Sequence, residues 1–145
     1  MKRTHQLLQV LLVLYLTALT ITTLWPSPVD GGGFSKLVVS EILRFCQRTP
    51  GLQFVHYSEL EAFGNVLLYI PLGIFVVVLF PKLNFWVALL IPILVSLSSE
   101  GLQSIFLPAR YATLEDVFHN ALGGCLGVLI SASIRRWLKL RSPER

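Results

Sequence analysis

Charged residues are scarce in this chain of 145 residues, since Asp, Glu, Lys and Arg make up 14% of it and hydrophobic residues 54%. Soluble domains carry about 25% charged residues, and they need polar side chains to cover the surface that stays in water. The two cysteines are too few for a disulfide framework or a cysteine-rich metal site. The chain also lacks a Gly-x-y period and heptads, and it is too apolar to be disordered. An integral membrane protein is the class that remains.

Four apolar windows are each long enough to cross the hydrocarbon core as a helix, which takes about 20 residues. They cover residues of about 7–24, 62–80, 85–107 and 114–134. The first window follows Lys2 and Arg3 as a signal peptide would, but it is longer than a signal-peptide core and ends without an A-x-A site. We therefore expect a retained helix. The prediction for residues 1–145 is a single all-α integral membrane domain, with four transmembrane helices in an antiparallel bundle.

The first connection, predicted to lie outside, contains apolar residues at helical spacing, namely Phe34, Val38, Ile42 and Phe45. This pattern predicts a short amphipathic helix over residues 34–48, on the outer membrane surface or across the mouth of the bundle. The sequence Ser58-Glu59-Leu60-Glu61 matches a capping box that would open the second window. Thr113-Leu114-Glu115-Asp116 matches an acidic cap at the start of the fourth window.

Lysine and arginine predict the orientation. If the amino terminus is cytoplasmic, eight of the 12 Lys and Arg residues fall on the cytoplasmic side. The positive-inside rule then predicts a multi-pass protein of the plasma (cytoplasmic) membrane with both termini in the cytoplasm. The basic tail at residues 135–141 is interpreted as a stop signal with affinity for anionic lipid headgroups, and not as a nucleic-acid-binding segment.

Glu100 is a charged residue inside the third window, about seven residues or roughly 10 Å from its outer end. A charge within a span costs roughly 2.5–3.5 kcal/mol on insertion scales, so such a residue is a candidate functional group. At about 100° per residue, one face of this helix carries Ser96, Ser99, Glu100 and Gln103, and the opposite face carries Leu90, Leu94, Leu97 and Ile105. We expect the polar face to point into the bundle and the leucine face to contact lipid.

The neighbouring windows repeat this pattern at a similar depth. The polar residues predicted to gather near the outer leaflet as a ligand-binding cluster are Asn65, Glu100, Gln103, Asp116 and Asn120, with Arg110 in the short outer turn. The residues predicted to serve helix packing are Pro71, Gly73, Gly123 and Gly127, and Gly123-x-x-x-Gly127 is typical of close helix approach.

Each polar residue also has a purely structural interpretation. Glu100 could be protonated and simply hydrogen-bonded to another helix. Asp116 could act only as a helix cap, and Arg110 could pair with it or with Glu115 at the rim. Asn65 and Asn120 could be interhelical hydrogen-bond partners. No second histidine accompanies His119, so neither a metal site nor a cofactor is predicted.

The order and spacing of several short motifs is similar to one known family. These motifs are Asn65-Val-Leu-Leu-Tyr-Ile-Pro71-Leu-Gly73, Ser-Glu100-Gly-Leu-Gln103, Arg110, Glu115-Asp116-Val-Phe-His-Asn120-Ala-Leu-Gly123, and Gly127. Over residues of about 61–130 the chain resembles the VanZ-like family, named for a membrane protein associated with low-level teicoplanin resistance in Gram-positive bacteria. The resemblance implies a small multi-span membrane protein, and Thr113 stands where many relatives carry an acidic residue.

Three hypotheses for the function follow. In the first, the outward-facing polar site binds a polar group of an envelope lipid, a lipid-linked cell-wall precursor or a glycopeptide, with Arg110 contacting an anionic group. An effect on teicoplanin susceptibility, as a form of antibiotic resistance, is implied by the resemblance alone. In the second, the chain is a structural or assembly partner of membrane complexes, and an oligomer is compatible with either hypothesis. The third is an enzyme acting on lipid-linked substrates, for which the sequence offers no recognisable catalytic motif.

Overall fold

The computed structural model describes residues 2–24, 33–107 and 113–141, and all regular secondary structure in those ranges is α-helical. The helices are α1 (Lys2–Thr23), α2 (Gly33–Arg48), α3 (Tyr57–Leu79), α4 (Phe85–Phe106) and α5 (Leu114–Arg141). Four of them, α1, α3, α4 and α5, are long and apolar enough to cross a membrane. The predicted all-α fold with four spans is confirmed.

Two spans extend beyond the windows that hydropathy marks. The α3 helix begins at Tyr57, where the backbone N–H of His56 donates to Glu59 Oε2 at 2.8 Å. The capping residue is therefore His56, and the prediction of a cap at Ser58 was wrong by two residues. The α5 helix has 28 residues and ends at Arg141. At ~1.5 Å per residue it is about 42 Å long, which exceeds the ~30 Å hydrocarbon core.

The α2 helix has 16 residues and matches the helix predicted over residues 34–48. Its polar side includes an exposed ion pair in which Arg44 Nη1 lies 2.6 Å from Glu41 Oε1. Leu37 and Phe45 are exposed on the same helix, whereas Cys46 is buried. The helix is thus confirmed, and its placement on the outer membrane surface stays a prediction.

The centre of the fold is the contact between α3 and α5, which is the most extensive helix pairing in the described chain. Three glycines make it possible. A Cβ added to Gly123 would overlap the backbone of Val66, and one added to Gly127 would overlap the backbone of Ile70. A Cβ on Gly73 of α3 would overlap the backbone of Gly124 in turn. The two helix backbones therefore touch, as the Gly-x-x-x-Gly pattern predicts.

The α4 helix packs on α5 through a glycine that the sequence analysis did not single out. A Cβ on Gly124 would overlap the side chain of Pro92, which is fully buried. Both α3 and α4 continue as helices through their internal prolines, Pro71 and Pro92. The buried face of α4 also contains Ser96, Glu100 and Gln103.

The opposite face of α4 carries the leucines expected to contact lipid, and Leu90, Leu94 and Leu97 are each about half exposed in the isolated chain. Polar residues are therefore turned inward and leucines outward, as the helical periodicity predicts.

The α1 helix lies at the edge of the bundle, and only 6% of its apolar window is buried. Leu19 is its main apolar anchor, in a cluster with Tyr69 and Leu72 of α3. The Tyr15 hydroxyl donates to the carbonyl oxygen of Leu68 at 2.8 Å. A few contacts therefore hold α1 against α3.

Candidate functional site

The polar residues predicted to form a site lie on three helices at one end of the bundle, which we call the acidic end. This end comprises the first turns of α3, the last turns of α4 and the first turns of α5. Asn65 lies on α3, Glu100 and Gln103 on α4, and Asp116 and Asn120 on α5. Arg110 lies outside the described residues.

Asn65 and Asp116 form the first polar contact at this end, where Asn65 Nδ2 donates to Asp116 Oδ1 at 2.9 Å. The other carboxylate oxygen of Asp116 accepts from the Thr113 hydroxyl at 2.7 Å. Thr113 Oγ1 in turn accepts from the Asp116 backbone N–H at 3.0 Å, which satisfies one open donor of the first helical turn. Thr113 is therefore the helix cap, and the Asp116 carboxylate joins the hydroxyl of this cap to Asn65 of a neighbouring helix.

Glu100 and Asn120 form the second contact, about one helical turn further along α5. Asn120 Nδ2 donates to Glu100 Oε1 at 3.2 Å. Glu100 is 5% exposed and Asn120 is 2% exposed, so the pair lies inside the helix bundle. Asn120 Oδ1 is also buried, and no donor within the described part of the chain reaches it. A buried amide oxygen of this kind can accept a hydrogen bond from a further group.

Gln103 does not join either contact. Its Nε2 donates to the backbone carbonyl oxygen of Thr23, at the end of α1, at 2.6 Å. Gln103 is 6% exposed, and Thr23 is buried as well. The sequence predicts that Gln103 belongs to the polar cluster with Glu100 and Asn120. In the structure, Gln103 instead forms a hydrogen bond with the end of α1. Helical periodicity gives the face of α4 that Gln103 occupies, but not the neighbour that this face meets.

Two further interhelical hydrogen bonds involve α4 residues that precede Glu100, and the sequence does not predict their pairing. The Tyr69 hydroxyl lies 2.6 Å from Ser99 Oγ, and the Ser96 hydroxyl donates to the carbonyl oxygen of Val117 at 2.7 Å. Tyr69 and Ser96 are fully buried. The sequence does indicate that the two serines are turned toward the bundle, because Ser96 and Ser99 share one face of α4 with Glu100.

The described residues at this end of the bundle offer mainly hydrogen-bonding groups. In the described ranges, no three His, Cys, Asp or Glu side chains are grouped so that they could hold a metal ion. The arrangement combines a buried carboxyl group, two amides and a second carboxyl group, that of Asp116, on three helices. Chemically, it can accept hydrogen bonds from a hydroxyl, amide or ammonium group.

The chain was compared with models of known protein families, with curated proteins and with solved structures. The family model described as VanZ/LLP1 matches residues 12–135. No curated protein and no solved structure matches significantly. The matched region is longer than the 61–130 segment that carries the resemblance in the sequence analysis, and it includes α2 and more than half of α1. Because the family model covers most of the chain, this multi-span helical protein belongs to the VanZ/LLP1 family.

Proposed function

We propose that the acidic end of the bundle binds a polar group of an envelope lipid, a lipid-linked cell-wall precursor or a glycopeptide. The observation that carries this proposal is the buried Glu100–Asn120 pair, in which Asn120 Oδ1 has no donor in the described part of the chain. Asn120 Nδ2 is already used by Glu100, which leaves the amide oxygen as the group that a ligand can reach by hydrogen bonding.

The cost of burying Glu100 also favours a functional role. Insertion of a charged residue at the centre of a span costs roughly 2.5–3.5 kcal/mol. Interhelical hydrogen bonds in membranes contribute ~0.6 kcal/mol on average, so a single bond of this kind does not offset the insertion of an ionised side chain. An apolar residue at position 100 would avoid that cost altogether. A ligand that interacts with the carboxyl group gives a reason for keeping it.

The donor and acceptor pattern restricts the ligand. Asn120 Oδ1 accepts hydrogen bonds, so it calls for a group that donates them, such as a sugar hydroxyl, a peptide amide or an amine. Lipid-linked precursors, glycopeptides and amine-bearing headgroups all carry such donors next to apolar chains that would remain in the membrane. Binding a precursor or the antibiotic at an outward-facing site would in turn change teicoplanin susceptibility.

The variant that tests the proposal is Glu100→Gln, because it removes the carboxyl group and keeps an oxygen that can accept from Asn120 Nδ2. Purified full-length protein in detergent is titrated with a fluorescent lipid-linked disaccharide-pentapeptide and, separately, with fluorescent teicoplanin. We expect Glu100→Gln to weaken binding of at least one probe about tenfold or more, equivalent to about 1.4 kcal/mol, while thermal unfolding stays close to the parent's.

The matched control is Glu115→Gln, which makes the same chemical change at an exposed position in the first turn of α5. It should leave binding of both probes unchanged. If Glu100→Gln and Glu115→Gln bind both probes as the parent does, the proposed ligands are wrong.

A structural or assembly role is the second candidate, because polar side chains join several pairs of helices. Tyr15 bonds the α3 backbone, Ser96 bonds the α5 backbone and Gln103 bonds the α1 backbone. Under this hypothesis Glu100→Gln behaves like the parent in every assay, whereas Glu100→Ala lowers stability or disrupts assembly with partner proteins. Loss of probe binding in a stable Glu100→Gln protein would exclude a purely structural role.

A further inference from the structure

The other end of the bundle contains a cavity of about 330 Å³ between α3, α4 and α5. We call it the basic-end cavity. Most of its wall is apolar, including Val77, Phe80, Leu83, Phe85 and Ala132. Two arginines of α5, Arg135 and Arg136, complete the lining. An apolar groove with two guanidinium groups at one end fits a molecule with an apolar chain and an anionic headgroup.

The guanidinium groups have donors available for such a ligand. Arg135 Nη2 donates to the carbonyl oxygen of Pro81 at 2.8 Å, which uses one of its five N–H donors and fixes the side chain beside the α3–α4 turn. Arg136 is exposed and forms no ion pair with any described acidic residue. Guanidinium groups bind phosphate oxygens through paired N–H donors, so the two side chains suit a phosphate group.

The charge distribution favours an anion at this end. The sequence has no Asp or Glu from residue 62 to 99 or from 117 to 143, and these two stretches include every residue that lines the cavity. Lys82 lies in the turn that closes the cavity, one residue after Pro81. Among the described residues, no carboxylate forms an ion pair with either arginine. Basic pockets between transmembrane helices are typical binding sites for anionic lipid headgroups.

We propose that the basic-end cavity binds one anionic phospholipid, with its phosphate on Arg135 and Arg136 and part of an acyl chain against the apolar wall. This site is separate from the acidic end, and it goes beyond general attraction of a basic tail to a membrane surface. The distinction is testable because attraction by the tail depends only on charge, whereas a pocket also depends on its shape.

The experiment titrates full-length protein in detergent with dioleoyl phosphatidylglycerol and counts bound lipids by native mass spectrometry. Dioleoyl phosphatidylcholine, with the same chains and a neutral headgroup, is the reference lipid. We expect one phosphatidylglycerol site that is at least about tenfold tighter than phosphatidylcholine. Arg135→Gln with Arg136→Gln should weaken it about fivefold for each arginine removed. Equal affinity for the two lipids would overturn the proposed site.

Two further variants separate the pocket from the tail. Ala132→Leu adds bulk to the apolar wall without changing charge, so it should weaken phosphatidylglycerol binding. Arg141→Gln removes one charge from the same helix outside the cavity, at a residue whose guanidinium stacks 3.9 Å from the Trp137 ring centre. It should leave the site intact. If Arg141→Gln reduces binding as much as Arg136→Gln, or Ala132→Leu has no effect, the lipid is held by tail charge alone.

Two controls complete the design. Millimolar inorganic phosphate should not displace the lipid, because free phosphate lacks the acyl chain, and displacement would identify a simple phosphate site. Thermal unfolding without added lipid checks that each variant folds. If the double arginine variant does not fold, Arg136→Gln alone is decisive, since Arg136 has no ion pair with a described residue and its removal leaves the Arg135–Pro81 contact in place.

Discussion

The substitution Gly127→Ala should destabilise the bundle, although alanine is the better helix former. The added Cβ overlaps the carbonyl group of Ile70, with the carbonyl carbon at 3.0 Å and the Cα of Gly73 at 3.1 Å. All of these atoms belong to the α3 backbone, so no side-chain rotation can relieve the overlap. The helices must separate along the contact that forms the centre of the fold. Overpacking of this kind costs about 1–3 kcal/mol.

Gly64→Ala on α3 is the matched control, because an added Cβ there meets nothing within 4 Å. Alanine in place of glycine inside a helix gains roughly 0.5–1 kcal/mol, so the two variants should shift the unfolding free energy in opposite directions. The assay is reversible unfolding by SDS in mixed micelles, followed by tryptophan fluorescence. If both alanine variants are equally stable, the close approach of α3 and α5 is not the contact that holds the bundle together.

Combining Gly123→Ala with Gly127→Ala in one protein tests whether the two helices separate as rigid bodies. Each overlaps α3 one turn apart, at Val66 and at Ile70. Once the helices have separated to accommodate one methyl group, the second costs less, so the double variant should be destabilised by less than the sum of the singles. Strict additivity would indicate that each site relaxes locally without moving the helix.

Three further predictions concern single contacts and orientation. Asn65→Ala and Asp116→Ala, alone and together, should give a coupling free energy of about 0.6–1.7 kcal/mol in a double-mutant cycle, and zero coupling would mean that their 2.9 Å hydrogen bond does not stabilise the fold. Tyr15→Phe removes the hydroxyl that joins α1 to α3, so unfolding should become easier by ~0.6 kcal/mol, and a parent-like free energy would contradict this role. In a chain without its native cysteines, a membrane-impermeant maleimide should label Arg48→Cys in intact cells and Lys82→Cys only after lysis. The reverse pattern would invert the predicted topology.

The fold was largely predictable because hydropathy and helical periodicity are local properties of the sequence. Four long apolar windows gave the four spans, and the alternation of leucines with Ser96, Glu100 and Gln103 gave the buried face of α4. The helix ends were less predictable. The start of α3 depends on a backbone contact between His56 and Glu59, and the end of α5 lies in a basic segment that hydropathy does not mark.

The candidate site was predictable in its residues and only partly in its contacts. Periodicity places Asn65 and Asp116 each on the polar stripe of its own helix, and the structure shows that the two side chains form a hydrogen bond. It cannot give the rotation of one helix against another, which decides that Gln103 meets the α1 backbone instead of Glu100. For the same reason the sequence does not indicate that Gly124 is a packing residue, because its close contact is with Pro92 of another helix. The basic-end cavity also forms only when three helices come together.

The order in which the helices contact one another has a consequence for biosynthesis. The most extensive pairing joins α3 to α5, with α4 between them in sequence, while α1 has few partners. During synthesis, α1 is translated before α3, the helix with which it makes most of its contacts. Both halves of the central interface exist only once α5 has been translated. Ribosome-associated chains that stop before residue 114 lack Gly123 and Gly127, so the surface of α3 that these glycines cover at Val66 and Ile70 stays in contact with lipid until α5 arrives.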